Sequence, residues 1–272
     1  MASYNAISPE KLVRLIGTPK APMLVDVRDD QDFTAARSML PASIKRNYTD
    51  VAEWRNACDG QPVVVVCQKG RKLSEGVAAC LRLEGVQAEV LEGGFEAWRD
   101  AGYPLVPVAR LPGENTGGGT LWVTRSRPKI DRIACPWLIR RFVDPKARFL
   151  YVAASEVEAV AERFGATPFD IENVFWSHRD EFCSFDVMVE EFGLTLPALA
   201  RLARIVRGAD TDRTDLEPQA AGLLAISLGL SRLYADDLEQ LEAGMLVYDA
   251  LYRWARDAFD EKHDWTSHAG RK

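Results

Sequence analysis

Hydrophobic positions in the first hundred residues alternate between short continuous runs and helix-like spacing. Three continuous runs predict strands, at residues 23–27, 63–66 and 87–91. The four consecutive valines of the second run predict a strand covered on both faces. Between the runs the apolar spacing is helical, and Ser8-Pro9 is typical of a helix N-cap and first turn. The pattern predicts an α/β fold class: a mainly parallel sheet with helices on both faces.

The second half of the chain has a different, mainly helical pattern. Two strands are predicted, at residues 121–124 and 149–152, around a helix that begins near Pro136. Residues 155–158 resemble a capping box that opens the next helix. Beyond Pro197 the spacing is almost wholly helical, and an apolar stripe over residues 238–259 predicts the buried face of one long helix. We therefore expect a mainly α-helical (α+β) C-terminal domain.

A proline- and glycine-rich segment separates the two patterns and is typical of a linker. We place an N-terminal domain at residues 1–108, a linker at 109–120, a second domain at 121–262 and a polar tail at 263–272.

Composition narrows the classes of function. The 272 residues carry a net charge of −6, which argues against a nucleic-acid partner. No apolar stretch reaches the roughly 18 residues of a membrane span, and the first residues lack the pattern of a secretory signal. The five cysteines include no CxxC pair, which favours thiols in a reducing compartment over a disulfide framework. We expect a cytoplasmic protein with no membrane partner.

The clearest chemical signal follows the valine strand. Residues 63–74 read VVVVCQKGRKLS, so that Cys67 ends a buried strand and a short loop leads to a helix expected from Ser74. Ligand sites of parallel sheets lie at the carboxyl ends of strands, and loop N–H groups before a helix attract anions. With Lys69, Arg71 and Lys72 nearby, this environment should favour the nucleophilic thiolate of Cys67. The alternative is that Cys67 is simply a small buried side chain; the arrangement favours the nucleophile.

The N-terminal domain resembles the rhodanese family of sulfurtransferases over about 100 residues. The motifs that carry the resemblance are LVDVRDDQDF at 24–33, PASI at 41–44, and LEGG at 91–94 followed by Trp98, Gly102 and Pro104. The resemblance implies that Cys67 carries a persulfide, with Gln68, Lys69, Gly70, Arg71, Lys72, Leu73 and Arg28 as substrate-binding residues. It also implies a thiosulfate or persulfide donor, a small thiol or cyanide acceptor, and no cofactor for the transfer.

The loop departs from the usual family pattern CxxGxRS. Lys72 and Leu73 stand where the family has Arg and Ser, and the bidentate contact that arginine makes with an oxyanion is therefore lost. A phosphatase loop would instead need C-x5-R, and the residue at that position is Leu73. The phosphatase alternative fails on this spacing.

A basic segment opens the second domain. Residues 125–148 contain eight Lys and Arg residues and two acids, Asp131 and Asp144. The segment fits a pocket for an oxyanion, and it fits equally a solvated face paired with the acids that follow it.

Polar residues after the basic segment form a second constellation. His178, Cys183, Asp186 and Asp210 are of types that bind a divalent metal or act as acid–base groups. Their spacing is not diagnostic, and a lone histidine is more often a structural residue.

Residues 121–257 resemble the C-terminal domain of bacterial chromate-resistance proteins. The matching segments are 127–140, 168–171, 177–178, 183–186 and 207–211. The resemblance implies a link to lowered chromate accumulation or to control of resistance genes. Two alternatives to the enzyme follow: a non-catalytic chromate- or oxyanion-responsive sensor, and a metal-dependent enzyme centred on His178.

Overall fold

The N-terminal half is built on a parallel sheet, as the sequence predicts. The structure is a computed structural model that describes residues 5–58, 60–113 and 118–261. The sheet has the order β1-β6-β5-β2-β4, with every pairing parallel. Its strands are β1 (Ala6–Ile7), β2 (Met23–Asp26), β4 (Ser43–Lys45), β5 (Val63–Val66) and β6 (Ala88–Leu91). A separate antiparallel pair joins β3 (Ser38–Met39) and β7 (Val106–Pro107).

In the described part of this half, five α-helices accompany the sheet: α1 (Pro9–Leu15), α2 (Asp30–Ala36), α3 (Val51–Trp54), α4 (Lys72–Leu83) and α5 (Gly94–Asp100). Alternate side chains of β5 enter two different hydrophobic cores. Val64 and Val66 face a core that includes Phe95 of α5, whereas Val63 and Val65 face one that includes Val77 of α4. The sheet is therefore covered on both faces, which explains the unbroken valine run.

The C-terminal half is mainly helical, as predicted, around a small parallel sheet. The sheet has the order β10-β8-β9, with β8 (Leu121–Arg125), β9 (Arg148–Val152) and β10 (Thr167–Pro168). The helices are α6 (Ile130–Leu138), α7 (Val157–Phe164), α8 (Ser184–Glu191), α9 (Pro197–Asp210), α10 (Gln219–Leu233) and α11 (Asp237–Asp257). The predicted long helix is α11, and most of its apolar stripe is buried.

The predicted start of the first C-terminal helix is wrong. Helix α6 begins at Ile130, and Pro136 lies inside it. Proline lacks the N–H that would bond to the carbonyl of Arg132, four residues earlier. The Tyr151 hydroxyl donates to that carbonyl at 2.8 Å instead. This contact with another element thus allows Pro136 to lie inside the helix, whereas the sequence alone placed the proline at the helix start.

Two further helix starts differ from the prediction. The expected capping box at residues 155–158 is absent: α7 begins at Val157, and its N-cap, Glu156, makes no side-chain cap hydrogen bond. Helix α4 begins at Lys72 rather than Ser74. Lys72 and Leu73 therefore belong to the first turn of a helix, which shortens the loop after Cys67.

The two halves are in direct contact. One hydrophobic core contains Leu12 and Trp98 from the first half together with Trp137 and Phe142 from the second. The backbone N–H of Ala42 donates to the Phe142 carbonyl at 2.7 Å. Residues 114–117 of the predicted linker and the whole of the predicted tail lie outside the described residues. The assigned domain limits themselves stay a prediction.

Candidate functional site

Cys67 follows directly on β5, the central strand of the five-stranded sheet. The residue is buried, with 4% of its surface exposed. Helix α4 begins five residues later, so the cysteine faces the N-terminus of a helix at the carboxyl edge of the sheet. This is the position at which open α/β sheets bind ligands.

Two polar groups contact the sulfur of Cys67. The backbone N–H of Arg71 donates to Sγ at 3.3 Å, and Oγ of Ser74 lies 3.1 Å from Sγ. The Ser74 hydroxyl also lies 3.1 Å from the Arg71 carbonyl, so it can bond to either acceptor. Sequence reasoning had taken Ser74 only as the start of a helix and missed this contact.

Glycines let a second loop pack against the backbone of the cysteine loop. Gly70 and Gly94 have φ values of +63°, a left-handed conformation that favours glycine. A Cβ on Gly94 would overlap the Cys67 carbonyl oxygen, and one on Gly70 would overlap that of Leu91. The close approach is completed by a hydrogen bond of 2.9 Å from the Phe95 N–H to the Cys67 carbonyl. The LEGG motif therefore acts by holding the cysteine loop in place.

The predicted substrate-binding loop surrounds the cysteine but differs in exposure along its length. Lys69, Arg71 and Lys72 are exposed, whereas Gln68, Gly70 and Leu73 are half-buried. Gln68 donates to the Glu96 carboxylate at 3.1 Å. A cleft of about 980 Å³ beside the loop is lined by Lys69, Gly70 and Arg71 together with Glu75 and Glu92, but Cys67 does not line it. The cations thus lie at the surface above a recessed sulfur.

Arg28 is buried away from solvent. Its guanidinium forms an ion pair with Asp26 at 2.6 Å, donates to the Ser38 carbonyl at 2.8 Å and lies 3.9 Å from the centre of the Phe95 ring. These contacts give Arg28 a structural role next to the sheet. A role as substrate contact stays a prediction that would require the side chain to move.

The second candidate site gathers three carboxylates around His178. Nε2 of His178 lies 3.2 Å from Asp210 Oδ2, 3.5 Å from Asp170 Oδ1 and 3.6 Å from Asp131 Oδ2. Asp131 and Asp170 are buried, Asp210 is partly buried, and the His178 side chain is 42% exposed. We call these four residues the His178 cluster.

The cluster raises the pKa values of two of its members, Asp131 and His178. Burial, with the charges of Asp210 and Asp170, raises the pKa of Asp131 well above its usual range. Close contacts with the Asp170 and Asp210 carboxylates raise the pKa of His178 to about 10. With no other cation bound, His178 therefore carries a proton that offsets part of the carboxylate charge.

Two of the predicted ligands, Cys183 and Asp186, have another structural task. Cys183 is the N-cap of α8, and its backbone N–H donates to Asp186 Oδ2 at 3.1 Å in a capping box. Asp186 also lies 3.9 Å from Nε of Arg207. Of the four predicted ligands, the structure brings His178 and Asp210 into direct contact.

Sequence reasoning passed over the two most buried carboxylates of the cluster. Asp131 looks like part of a basic segment, and Asp170 lies in the PFDI segment without being singled out. Asp131 stands out only once α6 is known to begin at Ile130, because an acid is then buried in the first turn of an apolar helix.

Most contacts of the basic segment are with acids and carbonyls of the same half. Arg140 pairs with Glu242 at 2.6 Å, and Arg141 pairs with Asp249 at 2.8 Å. Arg132 lies 3.3 Å from Asp170, which places its charge beside the His178 cluster. These pairs favour the interpretation of the segment as a paired face over an open oxyanion pocket.

The parallel sheet and the glycine-cradled cysteine loop define a rhodanese-like domain. A rhodanese-like domain model matches residues 8–101, and a model described as the ChrB C-terminal domain matches residues 122–255. The chain thus belongs to the rhodanese-like family through its N-terminal half and carries a ChrB C-terminal domain in its second half.

Some similar proteins match most of the chain, and others match only its N-terminal half. Protein ChrB of Cupriavidus metallidurans is 27% identical over 249 residues, which cover 84% of this chain and 74% of that protein. Thiosulfate sulfurtransferase GlpE of Pseudomonas savastanoi is 35% identical over 106 residues, covering 38% of this chain and 94% of that protein. Among solved structures, a rhodanese-related protein of Thermoplasma volcanium is 25% identical at a TM-score of 0.33, covering 38% of this chain and 98% of that chain.

None of the helices in the described part of the chain combines the length and apolar character needed to cross a bilayer.

Proposed function

We propose that the N-terminal domain is a sulfurtransferase that carries sulfane sulfur on Cys67. The observation that supports this most strongly is the sulfur of Cys67 at the end of the central strand, contacted by the Arg71 N–H and the Ser74 hydroxyl. The similarity to proteins named thiosulfate sulfurtransferase, which covers nearly their whole length, supports the same reaction.

The reaction runs through two displacements at sulfur. The Cys67 thiolate attacks the outer sulfur of thiosulfate, the S–S bond of the donor breaks, and sulfite leaves with the bonding electron pair. Cys67 then holds a persulfide. An acceptor thiolate or cyanide attacks the outer sulfur of this persulfide, the S–S bond to Cys67 breaks, and Cys67 leaves as the thiolate.

The surroundings of Cys67 supply what both steps need. The Arg71 N–H and the α4 N-terminus stabilise negative charge on sulfur when Cys67 is a thiolate. The exposed Lys69, Arg71 and Lys72 attract an anionic donor such as thiosulfate. Because the loop has lysine where the family has arginine, a persulfide donor fits this site as well as thiosulfate does.

Steady-state assays with thiosulfate and cyanide test the proposal. We expect turnover in the wild type, loss of turnover in Cys67→Ser, and full turnover in Cys80→Ser, whose thiol is exposed on α4 away from the loop. After thiosulfate treatment, mass spectrometry should detect a gain of about 32 Da, one sulfur atom, on Cys67. Equal rates in the wild type and Cys67→Ser, with no adduct, would favour a non-catalytic binding module instead.

We also propose that this activity is linked to chromate resistance. The proposal is based on the resemblance of residues 121–257 to the C-terminal domain of bacterial chromate-resistance proteins. Chromate tolerance of a sensitive host strain carrying either the wild-type gene or the Cys67→Ser gene tests the link. Greater tolerance with the wild type supports it, and equal tolerance separates sulfur transfer from chromate resistance.

A further inference from the structure

We propose that Asp131, Asp170 and His178 bind one divalent transition-metal ion, with Asp210 as a fourth ligand or as a partner of the bound water. This site lies in the C-terminal half and is independent of the sulfur chemistry at Cys67. Three potential ligand atoms, one from each of the first three residues, all lie within 4.8 Å of one another.

The distances within the cluster are close to those expected around a shared cation. Ligand atoms about 2.1 Å from a metal ion lie about 3.0–3.4 Å apart in octahedral or tetrahedral geometry. Nε2 of His178 lies 3.2, 3.5 and 3.6 Å from the three carboxylates. A single Nε2–H can point at only one of them, whereas an ion among them contacts all.

A buried oxygen without a partner gives independent support. Asp131 is 1% exposed, and its Oδ1 atom has no hydrogen-bond partner among the described residues. Its other oxygen accepts the Phe185 N–H at 3.3 Å. Buried carboxylate oxygens are normally paired or bound to a metal. The orphaned atom therefore indicates a missing ligand beside Asp131.

The ligand set indicates the kind of ion. Two or three carboxylates with one imidazole suit ions such as Mn²⁺ or Zn²⁺. One side of the site stays open, because His178 and Asp170 line a cleft of about 570 Å³ that Arg125 also lines. Water or a small anion can reach a bound ion from this cleft.

Titration with Mn²⁺, followed by electron paramagnetic resonance of the free ion, tests the site in the full-length chain. Mn²⁺ is the better probe because Zn²⁺ also binds the thiols of this cysteine-containing chain. We expect one Mn²⁺ per chain. Asp131→Asn and His178→Gln should each weaken binding about tenfold or more. The matched controls are Glu158→Gln and Glu172→Gln, carboxylates that line the same cleft outside the cluster, and they should bind as the wild type does.

Thermal unfolding with and without Mn²⁺ guards against loss of fold. The wild type and both controls should gain stability from the ion, and the cluster variants should lose this gain. His178→Gln changes a partly exposed side chain, so it keeps the test valid if Asp131→Asn does not fold.

Absence of stoichiometric Mn²⁺ and Zn²⁺ binding, or equal affinity in the cluster and control variants, would overturn the proposal and leave His178 as a protonated partner of the carboxylates. Cys67→Ser should bind Mn²⁺ normally, so failure of the sulfurtransferase proposal and failure of this one are distinguishable.

Discussion

The cysteine loop and the His178 cluster are built in opposite ways. The sulfur of Cys67 is held by neighbours within seven positions along the chain, largely through backbone geometry. The His178 cluster joins side chains from three segments, and Asp131 and Asp210 are 79 positions apart. One site is a local loop on a sheet, and the other exists only when α6, α9 and the loop around residues 170–178 pack together.

The two sites therefore tolerate different substitutions. A site made from N–H groups and glycine turns accepts Lys72 and Leu73 in place of the family residues, because the backbone still contacts the sulfur. A site made from buried carboxylates depends on the side chains themselves, since each charge must find a partner after burial. The following predictions probe the contrast, starting with the largest effect.

Exchange of the key side chain at one site should leave the other site intact. We expect Cys67→Ser to reduce sulfur transfer to the rate without enzyme, by more than about a thousandfold. Asp131→Asn should leave that rate unchanged, because its contacts lie in the C-terminal half. Cyanide–thiosulfate assays of the two variants measure this. Loss of transfer in a folded Asp131→Asn variant would show that the sites are coupled.

The close packing of Gly94 against the cysteine loop predicts a large loss of stability when Gly94 is substituted. We expect Gly94→Ala to lower the free energy of unfolding by about 2–4 kcal/mol, through left-handed strain and overlap with the Cys67 carbonyl, and to reduce sulfur transfer. Gly85→Ala is the matched control: Gly85 has φ +81° but no atom within 4 Å of an added Cβ. It should lose only about 1 kcal/mol from strain. Denaturant unfolding compares the two, and equal losses would contradict a role for this close packing.

The hydroxyl beside Pro136 predicts a smaller effect. Tyr151→Phe removes the donor to the Arg132 carbonyl, which cannot accept the usual helical bond because Pro136 lacks an N–H. The change should lower the free energy of unfolding by about 1–2 kcal/mol. Tyr248→Phe removes a similar bond of 3.0 Å to the Ile130 carbonyl. That carbonyl keeps its place in the hydrogen-bond ladder of α6, so this control should lose less stability. Equal losses in both would mean that Pro136 does not depend on Tyr151.

The smallest effect concerns the choice of sulfur donor. Lys72→Arg should raise the rate with thiosulfate about two- to fivefold, because a guanidinium can bind its oxygens through two hydrogen bonds. The rate with a persulfide donor, which lacks those oxygens, should not change. Lys20→Arg, an exposed substitution outside the loop, is the control. Equal gains with both donors would indicate a general charge effect rather than recognition of the oxyanion.

Local patterns were enough to predict most of the N-terminal architecture. The strand at residues 63–66, the Ser8 cap of α1 and the position of Cys67 each depend on neighbours close in the chain. The helix start near Pro136 was predicted wrongly because the compensating donor, Tyr151, lies on another element. The capping box expected from Ser155 is absent because a short 3₁₀ turn over Ala154–Glu156 occupies that position.

Local sequence patterns alone were enough to predict the α/β sheet, the helical second half and Cys67 as the candidate nucleophile. The reason is that strand ends, glycine turns and helix starts are encoded by adjacent residues. Only the tertiary structure decided that Ser74 contacts the cysteine sulfur, that Arg28 is buried and that Asp131 and Asp170 join His178 and Asp210. The Ser74 contact depends on the conformation of the loop after Cys67, whereas the His178 cluster depends on the packing of elements far apart in the chain. Burial then determines which charges must be paired.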